Sequence, residues 1–301
     1  MAVKRGSNDV LRFYYPHPKF PSVSVTGAQC ALNCRHCMGH YLGHMPNVDS
    51  PSKLKVFSAR LEEEGGNGIL VSGGSTAEGK VPLERFYPTL RWMKENTGLI
   101  VELHTGLLGR EEAEEIASTG IDIAAVDVVG SDDTIKRVYG LDARVEDYWT
   151  TLNALQEAGV PQVAPHICVG LDHGEIKGEY NALEISSWID PEVIVILELI
   201  PTAGTPMADV SPPSPEEVSG IVGEACRLCP DADIAVGCMR SRNDKLKLDE
   251  RAISAGARRI ALPSNATVER VMRDGFEVKV FDGCCAIPKS IEDRVLRTVQ
   301  P

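Results

Sequence analysis

The chain has 301 residues, of which 43% are hydrophobic and 25% are charged, and its formal net charge is −12 at pH 7. This length fits one large α/β domain, and the acidic balance argues against a nucleic-acid-binding surface. No apolar run approaches the length of a membrane span, and the polar stretch from Met1 to Arg12 lacks the apolar core of a signal peptide. We therefore expect a cytoplasmic protein with neither a nucleic-acid nor a membrane partner. Nine cysteines in such a compartment favour metal or redox chemistry over disulfides.

Apolar β-rich runs alternate with helical patterns along the chain, as in βαβ units that build a parallel sheet. The eight predicted strands are Ser22–Gly27, Gly68–Gly74, Leu99–Gly106, Ile121–Gly130, Val163–Leu171, Val193–Pro201, Asp233–Arg240 and Arg258–Ser264. Helices are predicted at Pro82–Asn96, Arg110–Ser118, Val145–Ala158, Pro215–Cys229, Asp249–Ala255 and Ala266–Asp274. A ninth short strand is predicted at Glu277–Phe281.

This alternation indicates an α/β protein, either a TIM-like (βα)8 barrel or a partial barrel on the same plan. We predict a single barrel domain over residues 1–301, with an N-terminal extension at 1–20 and a C-terminal tail at 276–301. In such barrels the active site lies at the carboxyl ends of the strands. Polar and reactive residues at predicted strand ends are therefore the first candidates for function.

Three cysteines follow the first predicted strand with C-x3-C-x2-C spacing, in the segment Cys30-Ala-Leu-Asn-Cys34-Arg-His-Cys37. Three thiolates on one short loop can hold three irons of a [4Fe–4S] cluster and leave the fourth iron open. The alternatives are a zinc site or separately buried cysteines. Zinc takes four ligands, commonly in two C-x2-C pairs, and no second pair lies close by.

Two further candidates stand at the next strand ends. Gly73 and Gly74 close the second predicted strand, where the absence of side chains lets a ligand approach the backbone, although such a pair also forms ordinary turns. Glu102 and Asp127 end the third and fourth strands, where either carboxylate suits a ribose diol. Each of these acids is equally explained as a hydrogen-bonded loop carboxylate.

The cysteine motif and the glycine pair resemble those of the radical SAM superfamily, whose barrels often have six strands. The resemblance implies a [4Fe–4S] cluster on Cys30, Cys34 and Cys37, with an open iron that binds S-adenosylmethionine (SAM). Reductive cleavage of SAM then yields a 5′-deoxyadenosyl radical. The chain departs from the family pattern at His36, where an aromatic residue is usual, and at Ser75, where a glutamate is usual.

In the same comparison, Gly73 and Gly74 correspond to the family's element that meets the methionine amino group of SAM. Glu102 and Asp127 are the candidates for the ribose. These four residues are our predicted SAM-binding residues.

The second half of the chain is similar to biotin synthase and its relatives. The resemblance lies in His166–Glu175, in Glu198–Asp209 with its Gly-Thr-Pro turn, and in Val236–Arg240. A sharper resemblance is to archaeal biotin-synthase-like proteins that form one half of a two-protein lipoyl synthase. It is carried by Ser24–Cys30, Tyr41–Met45, Gly237–Arg240 and the pair Cys284-Cys285. It implies a sulfurtransferase that acts on an octanoyl-lysyl carrier protein, with a second radical SAM subunit as partner.

Sulfur insertion also needs a sulfide donor, and six cysteines remain outside the first motif. We predict an auxiliary iron–sulfur cluster held by Cys168, Cys238, Cys284 and Cys285. The alternative is that these thiols are buried as small hydrophobic side chains. Two other functions stay open: a radical SAM rearrangement or cofactor-maturation enzyme without sulfur insertion, and an electron-transfer or iron–sulfur scaffold protein.

Overall fold

The computed structural model describes residues 10–297. All strand pairs of its single sheet are parallel. The strands within the described residues are β1 Val10–Tyr14, β2 Ser22–Ser24, β3 Gly68–Ser72, β4 Ile100–His104, β5 Ile123–Asp127, β6 Gln162–Val169, β7 Val193–Glu198, β8 Asp233–Val236, β9 Arg259–Ala261 and β10 Glu277–Phe281. Their order in the sheet is β10-β1-β9-β8-β7-β6-β5-β4-β3-β2.

Helices connect most of these strands. They are α1 Pro51–Glu63, α2 Tyr87–Asn96, α3 Arg110–Ser118, α4 Asp132–Thr134, α5 Val145–Glu157, α6 Glu179–Ser187, α7 Pro215–Leu228, α8 Lys245–Ala255, α9 Asn265–Arg273 and α10 Lys289–Glu292. No helix within residues 10–297 combines the length and the apolar composition needed to cross a bilayer.

The sheet forms a partial barrel and not the closed (βα)8 alternative. Its two edges are β2 and β10, and no ladder joins them within the described residues. Side chains bridge this seam instead: the Asn67 amide donates to the Asp282 carbonyl at 2.8 Å, and Lys19 pairs with the Asp282 carboxylate at 3.3 Å. The barrel is thus held shut at its base by polar contacts that involve the C-terminal tail.

The eight strands predicted from the sequence all form, and the ninth forms with the predicted bounds. Several end earlier than predicted because a glycine in the left-handed region turns the chain, as at Gly27 (φ 60°) and Gly106 (φ 70°). The predicted helices also form: Arg110–Ser118 has the predicted bounds, and the others have shifted ends, such as the one predicted to begin at Pro82, which begins at Tyr87 after a short 3₁₀ turn. Helices α1, α4, α6 and α10 were not predicted.

The sequence did not predict β1, which lies inside the predicted N-terminal extension. It pairs with β9 on one side and β10 on the other, and Leu11, Phe13 and Tyr14 are fully buried. Residues 10–14 are therefore an interior part of the sheet.

Successive residues of each strand face two different cores. Val101 and Leu103 pack outward under the helices, whereas Ile100 belongs to a smaller inner cluster. That inner cluster contains Tyr14, Phe20, Ile100, Ile123, Ala164, Val193, Val195, Ala235, Ala261, Phe281, Cys285, Ala286, Ile287 and Val295. The C-terminal tail thus enters the barrel and fills its base.

Candidate active site

The cysteine loop follows β2 and winds tightly. Asn33 and Met38 adopt left-handed φ angles of 48° and 44°, and the Cys37 amide donates to the Cys34 carbonyl at 3.1 Å. One ligand atom each from Cys34, His36 and Cys37 lies within 4.8 Å of the others. Cys30 is close enough for its charge to raise the pKa of Cys34. The loop therefore brings the Cys34 and Cys37 thiols together, with Cys30 near enough to influence Cys34.

The two closer thiols share a proton unequally. The hydrogen bond from Cys34 lowers the pKa of Cys37 to about 4 against the effect of burial, and His36 adds to the lowering. The same hydrogen bond, together with burial, raises the pKa of Cys34. Thiolate is the ligand form of cysteine, so this donor set fits a [4Fe–4S] cluster.

Gly74 lies just after β3 and connects the end of this strand to the segment that carries the cysteine loop. Its amide donates to the Thr26 hydroxyl at 2.7 Å, and that hydroxyl donates to the Gln29 carbonyl at 2.8 Å. A Cβ atom on Gly74 would lie 2.0 Å from the Gln29 oxygen and 2.7 Å from the Cys30 Cα. The absence of a side chain at Gly74 therefore lets the loop sit against β3. That Gly73 and Gly74 meet SAM stays a prediction.

The two predicted ribose carboxylates have different surroundings. Asp127 is exposed at the end of β5, whereas Glu102 is completely buried, and neither of its carboxylate oxygens has a hydrogen-bond partner among residues 10–297. Burial raises the pKa of Glu102, and His166 and the Cys284 thiol offset part of that rise. The ribose role stays a prediction for both residues, and the burial of Glu102 favours Asp127.

Three of the predicted auxiliary ligands influence one another electrostatically, although their sulfur atoms do not form a group within 4.8 Å of one another in the described part of the chain. Cys284 and Cys285 share a hydrogen bond that raises the pKa of Cys284, and Cys284 also feels the charge of Glu102. Cys238 is exposed to solvent on one side and crowded by protein atoms on the other. This crowding reduces the solvation of its thiolate and, with the charge of Cys285, raises the pKa of Cys238 to about 11. The tail thus brings its two thiols toward the strand-end Cys238.

Cys168 has other neighbours. Burial raises the pKa of its thiol, and the charges that act on it come from Asp127, Glu179 and Glu198. These groups stand toward the carboxyl ends of β5 and β7 or on α6, away from the inserted tail. The structure therefore groups Cys238 with the tail thiols and leaves Cys168 as the least supported of the four predicted ligands.

A further cluster escaped the sequence analysis. Ligand atoms of Glu102, His104 and His166 lie within 4.8 Å of one another inside the barrel. The alternating Glu102-x-His104 pair on one strand was a visible signal, because both residues face the same side. The third member comes from β6, and only the fold brings it to the other two.

Residues 24–176, about half of the chain, match the sequence profile described as the radical SAM superfamily. The chain therefore belongs to this superfamily of enzymes, and membership implies a [4Fe–4S] cluster and SAM.

Among individual relatives, biotin synthase of Legionella pneumophila (strain Paris) is 27% identical over 210 residues, which cover 66% of this chain and 62% of that enzyme. Biotin synthase of Syntrophotalea carbinolica is 26% identical over 223 residues, which cover 71% of this chain and 66% of that enzyme. The chain thus spans less than two thirds of the length of both enzymes.

Solved structures show the same fold. Methylornithine synthase PylB has a TM-score of 0.62 at 16% identity, covering 90% of this chain and 84% of its own. The FeFe-hydrogenase maturase HydG from Carboxydothermus hydrogenoformans has a TM-score of 0.61 at 14% identity, covering 90% of this chain and 68% of its own. At these identities the likeness extends to the partial barrel alone.

Proposed function

We propose that this radical SAM enzyme inserts sulfur into an unactivated C–H bond of an octanoyl-lysyl carrier protein, as a lipoyl synthase does. The observation that carries the proposal is the entry of Cys284 and Cys285 into the barrel interior. When bound, the first cluster and SAM supply the hydrogen-abstracting radical, and an auxiliary iron–sulfur cluster supplies sulfide. The proposed partners are the carrier protein and a second radical SAM subunit, in the reducing cytoplasm.

In this proposal the chain's own residues divide into two groups. Cys30, Cys34 and Cys37 hold the first cluster near the barrel mouth, where Gly73, Gly74 and Asp127 bind SAM. Cys238, Cys284 and Cys285 hold the auxiliary cluster deeper in the barrel, and Cys168 is the remaining candidate ligand. The tail closes the base from below, so a long, thin acyl-lysyl arm would enter from the mouth and meet both groups.

A second candidate function is a rearrangement or cofactor-maturation reaction without sulfur insertion. It is favoured by one observation: Cys285 is 5% exposed and packs with Ala286 and Ile287 in the inner apolar cluster. A thiol in such surroundings needs no metal to explain its burial. In that case the tail is a plug and the barrel carries one cluster.

The double variant Cys284→Ala/Cys285→Ala separates the two functions. We expect it to keep SAM cleavage, because the first motif does not involve the tail. It should lose about half of its iron and sulfide and form no thiolated product. Iron and sulfide would be counted in anaerobically purified protein, 5′-deoxyadenosine by chromatography, and thiolation of an octanoyl-lysyl peptide by mass spectrometry.

Two controls frame this experiment. Cys226→Ala/Cys229→Ala also removes two thiols, but from the outer core around α7, and should leave iron and product unchanged. A variant with alanine at Cys30, Cys34 and Cys37 should form no 5′-deoxyadenosine. The auxiliary-cluster assignment of Cys284 and Cys285 is wrong if the tail variant retains full iron content together with thiolated product, and the sulfur-insertion proposal is wrong if the wild-type enzyme cleaves SAM but forms no thiolated product.

A further inference from the structure

The Glu102, His104 and His166 cluster has the chemistry of a metal site separate from the cysteines. Two imidazoles and one carboxylate are a common donor set for Zn²⁺ and for non-haem Fe²⁺. Their ligand atoms lie within 4.8 Å of one another, and the two imidazole ring centroids are 5.7 Å apart. Two strands that are not neighbours hold the three residues: β4 carries two of them, and β6, on the far side of β5, carries the third.

Both histidines are held at their Nδ1 atoms. His166 Nδ1 lies 2.9 Å from the Ala164 carbonyl oxygen, which only accepts, so this nitrogen carries the proton and Nε2 keeps its lone pair. His104 Nδ1 lies 3.3 Å from the Ser72 hydroxyl. Metal-ligating histidines usually fix one ring nitrogen in this way while the other binds the metal.

Glu102 supplies the independent observation. It is 0% exposed, and within the described part of the chain neither of its oxygens has a hydrogen-bond partner of good geometry, although the Cys284 thiol lies nearby. Burying a carboxyl group without partners is unfavourable unless another group compensates. A bound cation would compensate both oxygens of this side chain.

We propose that Glu102, His104 and His166 bind a single divalent transition-metal ion through one carboxylate and two imidazole nitrogens, without a thiolate. Three protein ligands leave at least one coordination position open, as in catalytic rather than structural metal sites. His104 is half-buried, so the site is not wholly enclosed by protein. The site is built by β4 and β6, and the Cys284 thiol of the tail lies beside Glu102.

The test uses the reconstituted holoenzyme, in which the cluster thiols are occupied. After anaerobic equilibration with Co²⁺ and removal of the unbound ion, elemental analysis should find about one Co²⁺ per chain in the wild type. Glu102→Gln and His166→Gln should lose it while retaining iron and sulfide. Ser72→Ala, which removes only the partner of His104, should weaken Co²⁺ binding about tenfold. His173→Ala, a histidine that pairs with Asp172, is the matched control and should bind normally.

Co²⁺ X-ray absorption should show nitrogen and oxygen neighbours and no sulfur. Sulfur in the first shell, or loss of Co²⁺ in Cys284→Ala/Cys285→Ala, would overturn the three-ligand assignment. So would unaltered Co²⁺ binding in Glu102→Gln, or loss of iron and sulfide along with Co²⁺ in that variant, since Glu102 would then serve a cluster. Failure of the sulfur-insertion proposal appears instead as the absence of thiolated product from the wild-type enzyme, and leaves the Co²⁺ result standing.

Discussion

Gly74 shows how little room separates β3 from the cysteine loop. A Cβ atom on Gly74 would lie 2.0 Å from the Gln29 carbonyl oxygen and 2.7 Å from the Cys30 Cα atom. Both are backbone atoms, which cannot move aside as a flexible side chain would. We expect Gly74→Ala to displace Cys30, to lower cluster iron by more than half and to reduce SAM cleavage at least tenfold, because overpacking of this kind costs about 1–3 kcal/mol. Iron analysis and 5′-deoxyadenosine formation measure the two effects.

Gly43→Ala is the matched control, because nothing lies within 4 Å of a Cβ there and the residue is in the short helix after the same loop. A Gly74→Ala variant with wild-type iron content would show that the loop can move away without losing its ligands.

The sequence could predict those site residues whose partners lie close to them along the chain. The thiols of Cys30, Cys34 and Cys37 lie within eight consecutive residues, so their spacing alone indicated a shared site. Glu102 was predicted as a strand-end carboxylate because its position in β4 was readable. Its buried neighbours, His166 and Cys284, come from distant parts of the chain, and no local pattern reports them.

The C-terminal tail is anchored on one buried guanidinium. Arg259 is fully buried; it donates to the Cys285 carbonyl at 3.2 Å and also to the Ile287 carbonyl. The same side chain donates to the Asp233 carboxylate at 2.9 Å. This arrangement fixes the height at which the tail thiols sit in the barrel.

We expect Arg259→Met to destabilise the protein by about 3–5 kcal/mol, because it leaves Asp233 buried without its principal cation and frees two tail carbonyls. Denaturant unfolding measures the loss, and limited proteolysis should cut the released tail first. Arg251→Met removes an exposed guanidinium paired with Glu216 and should cost under about 1 kcal/mol. Equal stability of the two variants would contradict the anchoring role.

The strands were predicted correctly where the hydrophobic periodicity and the glycines that end an element agreed, as for β3 to β9. It failed at β1, because Val10-Leu-Arg-Phe-Tyr14 is short, contains a charge and stands in a polar stretch. The reason it is a strand is tertiary: Arg12 Nε and Nη1 reach the Glu292 and Asp233 carboxylates at 3.1 and 3.4 Å, so its charge is satisfied at the base of the barrel. Those partners lie more than 200 residues away.

At the scale of the whole molecule, low pH should destabilise the bottom of the barrel. Burial opposes ionisation of Asp233, but Arg259, Arg12 and Lys289 outweigh it and hold the pKa of Asp233 below its ordinary value. A carboxyl group whose pKa is lower in the folded state stabilises the fold fully above the unfolded value of about 3.9, and that stabilisation is lost as the pH falls through the folded pKa.

We therefore expect the melting temperature to fall as the pH drops below about 4, and Asp233→Asn to flatten that fall while lowering stability at neutral pH. Melting curves of anaerobic samples between about pH 7 and about pH 3 test this. Asp231→Asn, at an exposed position two residues earlier, should keep the wild-type pH dependence. An Asp233→Asn variant with an unaltered acid profile would remove this residue from the explanation.

The sheet order also dictates a sequence of events during synthesis. β1 is the first described strand to leave the ribosome, yet its partners β9 and β10 begin at Arg259 and Glu277. Until β9 and β10 have emerged, Val10–Tyr14 has both edges unpaired, the condition that invites association with other nascent chains. The barrel base is completed only afterwards, when the tail can also enter. Cofactor insertion at the cysteine loop can precede this step, whereas any metal that needs the finished interior must arrive last.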